Sequence, residues 1–480
     1  MIVFEPMRTC CILLLTVFIS VASSAQDTWT LQRCIDHAFQ YNLTIRQGNL
    51  NVELTEEVKK NALGNMLPNL NASASHGYNW GQTIDPFTNQ FATERIRSNS
   101  FGASTNMNLF SGFRLQNALK QSSVDVQSGK YDLEQVQNTL ALNVAGAFLS
   151  VLQSQELQVI AQTNFDNTVV QVARIQKLVA GGQLAEGNLS EIEAQQANDE
   201  ASLVAATNNL GLAELNLMQL IQLSDEEMRT FRISSPTDDP ESLQLLTDAQ
   251  AAIESALTNF PQIKSAESRW ISATYGEKIA KGFAYPSLGV SFQYGTGYSG
   301  ASRIPVGDPI LGDPYAIGYV GDTFQPVFTV PFSYAYDRKP FSDQLNDNIN
   351  QSLFFSLQIP IFNGFSTRTN IQRARITREI ASITLEQTRQ QLTQEVQRAF
   401  ADAQAAKSNY DAGKTALKAS EKAFGYAQTR YEQGMINNTE YADARARVDN
   451  ARTNLARNKY EYLFRAKILE FYQGRAITFR

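Results

Sequence analysis

Leu109-Phe110-Ser111-Gly112-Phe113 returns 252 residues later as Ile361-Phe362-Asn363-Gly364-Phe365. That offset holds without a gap through Ala147-Phe148 against Ala399-Phe400, Gly182 against Gly434, and Ala194 against Ala446. Upstream the offset is 218. Cys34-Ile35-Asp36-His37-Ala38 lies opposite Ala252-Ile253-Glu254-Ser255-Ala256, and Pro68-Asn69-Leu70 opposite Pro286-Ser287-Leu288. The chain is therefore a duplication of a unit of about 190 residues. The second copy carries the difference of the two offsets, 34 extra residues, between its proline and its Phe-Asn-Gly-Phe. Two copies of so long a unit do not make a solenoid.

Each copy reads helix, strand, loop, strand, long helix, turn, helix. The first repeat spans 26–221, with strands at about 68–80 and 98–110 and long helices at about 114–180 and 188–221. The second spans 245–472, with strands at about 286–295 and 351–362 and long helices at about 366–433 and 439–472. A polar segment, 222–244, with Pro236 and Pro240, links them as a belt, and 473–480 is a tail. The strands alternate. Leu70, Ala72, Ala74, Tyr78 and Trp80 share one face while Asn69, Asn71, Ser73, Ser75 and Asn79 share the other, and Leu353, Phe355, Leu357 and Ile359 repeat the apolar face in the second copy. Runs of about 10 residues with aromatics near their ends fit a membrane-spanning barrel strand. The alternative is a half-buried sheet in a soluble sandwich.

The helices weigh against the sandwich. Val396, Ala399, Ala403, Ala406, Tyr410, Gly413, Leu417, Ser420, Phe424, Ala427 and Tyr431 recur at spacings of three and four, a heptad seam with many small residues. Residues 366–433 make about 100 Å of helix at 1.5 Å per residue, far beyond globular needs. A structural coiled coil without transport remains the other reading, although such a protein would not interrupt its helices with amphipathic strand pairs. Four strands cannot close a membrane barrel, and an open edge in lipid leaves backbone groups unpaired. The expected fold is thus an α+β membrane protein in which several chains share one barrel. Two chains give 8 strands, and three give 12 and a lumen.

Composition narrows the function classes. With 480 residues, 43% apolar and 18% charged, a core is affordable, and a net charge of −6 argues against nucleic acid. Mean hydropathy is −0.28, and the single long apolar run is Cys10–Ala22, preceded by Arg8 and followed by Ser23-Ser24-Ala25, which reads as a signal peptide over 1–25. Two histidines and three cysteines leave little for metal or thiol chemistry. His37 and His76 have no repeated partner, Cys34 reads as a buried thiol, and no catalytic constellation, metal site or cofactor motif is visible.

The chain resembles the TolC-type outer-membrane efflux channels. The residues that carry the resemblance are Trp29-Thr30-Leu31 leading to Ile35, Ala38 and Asn42, the Leu67-Pro68-Asn69-Leu70 step into a strand, the Leu109-Phe110-Ser111-Gly112-Phe113 exit, and the Gly434 turn with Tyr441-Ala442-Asp443-Ala444-Arg445. The resemblance implies a homotrimer in outer-membrane lipid, with a shared 12-strand barrel and a coiled-coil periplasmic tunnel. It also implies a periplasmic adaptor and an inner-membrane RND or ABC transporter as partners. Export of small molecules and service to a type I protein-secretion system both fit.

Carried over position by position, the family's acidic pore entrance falls on Glu440 and Asp443, its constriction tyrosine on Tyr431, and its tip glycines on Gly182 and Gly434. Glu440 and Asp443 read equally well as solvated charges at a helix start. The family's arginine two residues after the second glycine is Ile436, and its acidic partner is Asn188, so the closing salt bridge is absent in that form and the tips are expected to rest on packing and Tyr431. Asn438 or Thr439 is expected to cap the following helix. Pro68 and Pro286 mark helix–strand junctions at the periplasmic rim. The 34 extra residues, rich in proline and aromatics, are expected to lie outside the cell without central strands, with their aromatics packed.

Overall fold

A computed structural model describes residues 28–85, 87–89, 91–92, 95–234, 241 and 248–475. The expected signal peptide, Pro236, Pro240 and the end of the tail lie outside these residues.

The first repeat comprises α1 (Leu31–Tyr41), α2 (Leu43–Gly64), β1 (Asn69–Asn79), β2 (Thr83–Ile84), β3 (Phe91–Ala92), β4 (Ile96–Ser111), α3 (Arg114–Ala180) and α4 (Glu186–Leu220). A short α5 (Asp225–Thr230) follows. The second repeat comprises α6 (Gln250–Asn259), α7 (Pro261–Gly282), β5 (Ser287–Ser299), β6 (Arg303–Leu311), β7 (Tyr315–Val320), β8 (Gln325–Thr329), β9 (Phe332–Arg338), α8 (Phe341–Asp347), β10 (Asn350–Gln358), α9 (Ser366–Glu432) and α10 (Asn438–Tyr472). The duplication extends to lengths: α3 and α9 have 67 residues each, and α4 and α10 have 35 each.

The chain forms two compact units. One, of residues 1–56, 124–271 and 379–480, is helical where described. In it the opening helix of each repeat packs on the long helices. Leu31, Cys34, Ile35 and Ala38 of α1 sit in a core with Val144, Phe148, Leu217 and Ile221. Ala252, Ile253 and Ala256 of α6 do the same with Leu392, Val396, Ala403 and Leu469. Cys34 is fully buried, and desolvation pushes its thiol up to about 12, so the thiolate is not accessible at neutral pH. The His37 ring nitrogen Nδ1 lies 2.9 Å from the Ile221 carbonyl, and the ring packs between Trp29 and Tyr41. The seam of α9 is visible as burial. Val396 to Tyr410 are covered at every seam position, and Tyr410 stacks on Tyr462 of α10 at 5.8 Å. Gly413 faces α10, where a Cβ would stand 3.3 Å from the Asn458 amide nitrogen and in ordinary contact with Leu455.

The other unit, residues 57–123 and 272–378, is built on a four-stranded antiparallel sheet in the order β1-β4-β5-β10. Its apolar face has no second layer. Leu70, Trp80, Leu353, Phe355 and Leu357 are all exposed, Leu70 by 79%. Such a face is stable in contact with hydrocarbon, whereas no helix among the described residues is long and apolar enough to cross a membrane. The last strand is shorter than the 351–362 read from the sequence. It ends at Gln358, because Pro360 has no N–H to continue the ladder.

The enlarged loop corrects one expectation. It folds into two ribbons, β6 with β9 and β7 with β8, followed by α8. Prolines fit because each ribbon has two strands only: Pro305 faces Tyr336 and Pro326 faces Tyr319. Most of the aromatics do not pack. Tyr315, Tyr319, Phe324, Phe328 and Tyr336 are exposed, since a two-stranded ribbon offers no second layer; Tyr298 at the base is buried, and the half-buried Tyr334 meets Phe332 edge-on at 5.9 Å. The base itself is a polar core. The buried Gln344 amide accepts from the Ser299 N–H (2.9 Å) and donates to the Ser299 and Lys339 carbonyls (3.1 and 2.9 Å). The Ser299 hydroxyl donates to Asp85, whose other oxygen accepts from the Phe87 and Thr88 amides (3.0 and 2.8 Å). Gln344→Ala would strand buried backbone groups at about 1–3 kcal/mol each. We expect faster amide exchange over residues 299–348, read by mass spectrometry, with the exchange of β1 and β4 unchanged.

Candidate functional site at the helix tips

The two turns that reverse the long helices are built alike. After α3 the chain closes with Gly182 N–H to Val179 and Gln183 N–H to Leu178, and after α9 with Gly434 N–H to Tyr431 and Met435 N–H to Arg430. This double closure requires a left-handed residue, and both glycines supply it, with φ of +71° and +72°. The glycines are thus structural at the tips.

The cap of α10 is one residue earlier than expected. Asn437, in extended conformation, accepts from the Glu440 N–H at 2.8 Å. This frees Asn438, whose amide donates to Glu191 of α4 at 3.0 Å and whose oxygen lies 3.5 Å from the Tyr431 hydroxyl. Tyr431, half-buried, stacks on Tyr441 at 4.6 Å, and Tyr441 in turn meets Phe424 at 5.5 Å. Burial, before any nearby charge, raises the Tyr441 pKa. The Asn188 amide donates to the Ala185 carbonyl on its own turn (3.4 Å), and Ile436 is half-buried. Glu440 and Asp443 are both exposed on the first turns of α10. Pro68 and Pro286 directly precede β1 and β5, in the unit that holds the sheet.

A second set of residues, not foreseen as a site, lies deeper in the same helices. Arg445 of α10 donates to the Asn164 carbonyl of α3 at 2.7 Å and lies 3.5 Å from Asp199 of α4 and 3.6 Å from Asp449. Asp199 also accepts from Gln195 at 2.8 Å and from the Thr168 hydroxyl. The guanidinium and the Asp199 carboxylate are each mostly shielded from water. Desolvation raises the Asp449 pKa, and Arg445 opposes it. These groups border a cavity of about 730 Å³ between α3, α4 and α10. Arg445 ends the Tyr441-Ala442-Asp443-Ala444-Arg445 stretch after the turn, but its partners on α4 and α3 lie 246 and 281 residues away by residue number. No sequence spacing announces such a contact.

The arrangement binds helix to helix by ion pairs and aromatic stacking and leaves Glu440 and Asp443 exposed at the tip, along with Glu186 and Glu432. Among the described residues, no group of three or more His, Cys, Asp or Glu side chains is placed to hold a metal.

The family model described as outer membrane efflux protein matches residues 34–221 and 252–475. The chain is 23% identical over 454 residues to the outer membrane protein TolC of Escherichia coli (strain K12), covering 94% of this chain and 83% of that one. It is 21% identical over 395 residues to the outer membrane efflux protein BepC of Brucella suis biovar 1 (strain 1330), covering 82% and 74%. The Campylobacter jejuni CmeC outer membrane channel superposes with a TM-score of 0.73 over 94% of this chain and 86% of that one, at 15% identity.

Arg445→Met would remove the cation shared by Asp199 and Asp449 and leave the two carboxylates repelling each other, with Arg452 still acting on Asp449. A fully buried broken pair costs about 3–5 kcal/mol, and here the partial exposure of Asp449 lowers that to roughly 2 kcal/mol. The expected readout is faster amide exchange around Asn164 and in residues 186–199. Adding Asp199→Asn should restore part of the protection.

Proposed function

The chain belongs to the outer membrane efflux protein family, and from that premise we propose that three copies form a passive exit duct carrying small molecules from a periplasmic pump to the outside. The protein is an outer-membrane efflux channel with the α+β fold of its relatives. The observation that carries the trimeric duct is the sheet: four strands, an apolar face with nothing over it, and a free edge on each side. In hydrocarbon each unpaired backbone group costs several kcal/mol, so neighbouring copies must supply the missing strands. Three copies give a 12-strand barrel with a lumen, and their long helices build the periplasmic tunnel. A periplasmic adaptor and an inner-membrane transporter of the RND or ABC type complete the assembly. Pro68 and Pro286 mark the periplasmic rim of the barrel.

The helix tips form the tunnel entrance in this reading. Glu440 and Asp443, one pair per copy, face the axis as a ring of carboxylates, and a low-dielectric wall focuses their potential. Tyr431 narrows the opening, held by its stack on Tyr441. With Ile436 and Asn188 in place of an ion pair, the closed tips rest on that stack, on Asn438 with Glu191, and on the Arg445 cluster.

Two outcomes are expected. In planar bilayers the channel should be weakly cation-selective and blocked from the periplasmic side by trivalent metal cations. Both properties should vanish in Glu440→Ala/Asp443→Ala while the trimer survives; unaltered selectivity and block would place these carboxylates on the outside of the tunnel. A hairpin whose strands enter from the periplasm returns there, so the enlarged loop lies outside the cell. An epitope inserted at Asp313 should be labelled on intact cells, and labelling only after lysis would reverse the topology.

A further inference from the structure

The duplication allows the contact between copies to be derived residue by residue. Within the chain β1 pairs with β4, and Ala74 faces Phe101. Moving each residue by its repeat offset, 218 for the first strand and 252 for the second, gives Phe292 facing Leu353. That is the pairing observed between β5 and β10, and Asn71 with Ser104 likewise becomes Gly289 with Ser356. The repeat therefore preserves strand register to the residue.

The middle pairing, β4 with β5, joins the end of the first repeat to the start of the second. Its counterpart joins the end of the second repeat, β10, to the start of the first, β1, and these are the two free edges of the sheet. The same offsets turn Phe101 with Thr296 into Leu353 with Tyr78, Ser104 with Gln293 into Ser356 with Ser75, and Asn106 with Ser291 into Gln358 with Ser73. Beyond the register shift after Asn108, Phe110 with Leu288 becomes Phe362 with Leu70.

Three observations support the transfer. The faces agree: Leu353, Phe355 and Leu357 fall opposite Tyr78, His76 and Ala74, while Ser356 and Gln358 fall opposite Ser75 and Ser73. A slip of one residue would set Leu353, Phe355 and Leu357 opposite Gly77, Ser75 and Ser73. Exposure marks the missing neighbour. Ile361 and Phe362 are 94% and 75% exposed, against 44% for Leu109 and a half-buried Phe110, and Leu70 is 79% exposed against a half-buried Leu288. Glycines mark the junction. A Cβ on Gly112 would stand 2.3 Å from the Gly282 carbonyl, and one on Gly282 would stand 2.7 Å from the Gly112 carbonyl. Their counterparts, Gly364 and Gly64, are also glycine, yet neither has anything within 4 Å in its own chain. Gly364, like Gly112, has a positive φ that by itself calls for glycine (+59° and +62°), whereas Gly64 does not. A close approach from another copy, like that of Gly112 to Gly282, would account for glycine at position 64.

We propose that copies join through β10 of one and β1 of the next in this register, with Leu353, Ser356 and Gln358 opposite Tyr78, Ser75 and Ser73, and with Gly364 seated against Gly64. The inference rests on the reading of the protein as a ring of copies sharing a barrel. It adds the register and the glycine contact.

Cysteine pairs test it in isolated outer membranes, in a Cys34→Ala background that copies Ala252. Directly opposite Cα atoms lie about 4.5–5.5 Å apart and diagonal ones about 7–8 Å, and a disulfide needs about 4.4–6.8 Å. Ser75→Cys/Ser356→Cys should give, on oxidation, covalent ladders ending at three copies, at least tenfold more than Ser75→Cys/Gln358→Cys or Ser75→Cys/Phe354→Cys. Faster linking of a shifted pair, or none in any pair while unheated gels show the intact trimer, overturns the register. A monomer in the cysteine-free control overturns the ring itself and the proposal with it. Gly64→Leu should leave the circular dichroism of the chain unchanged and lower trimer yield about tenfold. Undiminished trimer would overturn the glycine junction.

Discussion

A strand at the edge of a sheet carries unpaired N–H and C=O groups, and hydrocarbon offers them nothing. Much of the organisation of this protein answers that constraint. One chain supplies four strands whose apolar face is bare and whose outer edges, on β1 and β10, are open. A monomer in water cannot keep the bare face, and a monomer in lipid cannot keep the open edges. Other copies resolve both at once, because a closed barrel has no edges and turns the bare face to the membrane.

Duplication makes that closure inexpensive in sequence. Because the β1–β4 and β5–β10 registers are related by the repeat offsets, one strand contact inside the chain serves as the template for the contact between chains. The same economy holds for Gly112 against Gly282 and for the unfilled Gly364 and Gly64. The repeats diverge where symmetry is not needed. The enlarged loop of the second repeat hangs on a buried Gln344–Ser299–Asp85 core and presents exposed aromatics on two ribbons.

The helix tips follow a different logic. Their contacts are polar and aromatic rather than a sealed apolar core. Tyr431 on Tyr441, Asn438 with Glu191, and Arg445 between Asp199 and Asp449 are discrete side-chain links between helices. The long seam from Val396 to Tyr410, by contrast, is buried and apolar or small, and supplies the stiffness.

The sequence by itself determined the duplication, the alternating strands, the heptad seam and the tip glycines, because each is a periodicity or a backbone requirement readable within a few residues of itself. Strand count then excluded a closed barrel in one chain. The tertiary structure alone decided the rest. Asn437 caps α10 because its backbone is extended there, a choice that Asn437, Asn438 and Thr439 could each have filled on composition. Most of the loop aromatics stay exposed because a ribbon has no second layer, although their number read as a core. The Arg445 cluster joins residues on three helices that chain connectivity holds far apart, and a contact of that kind leaves no local pattern to read.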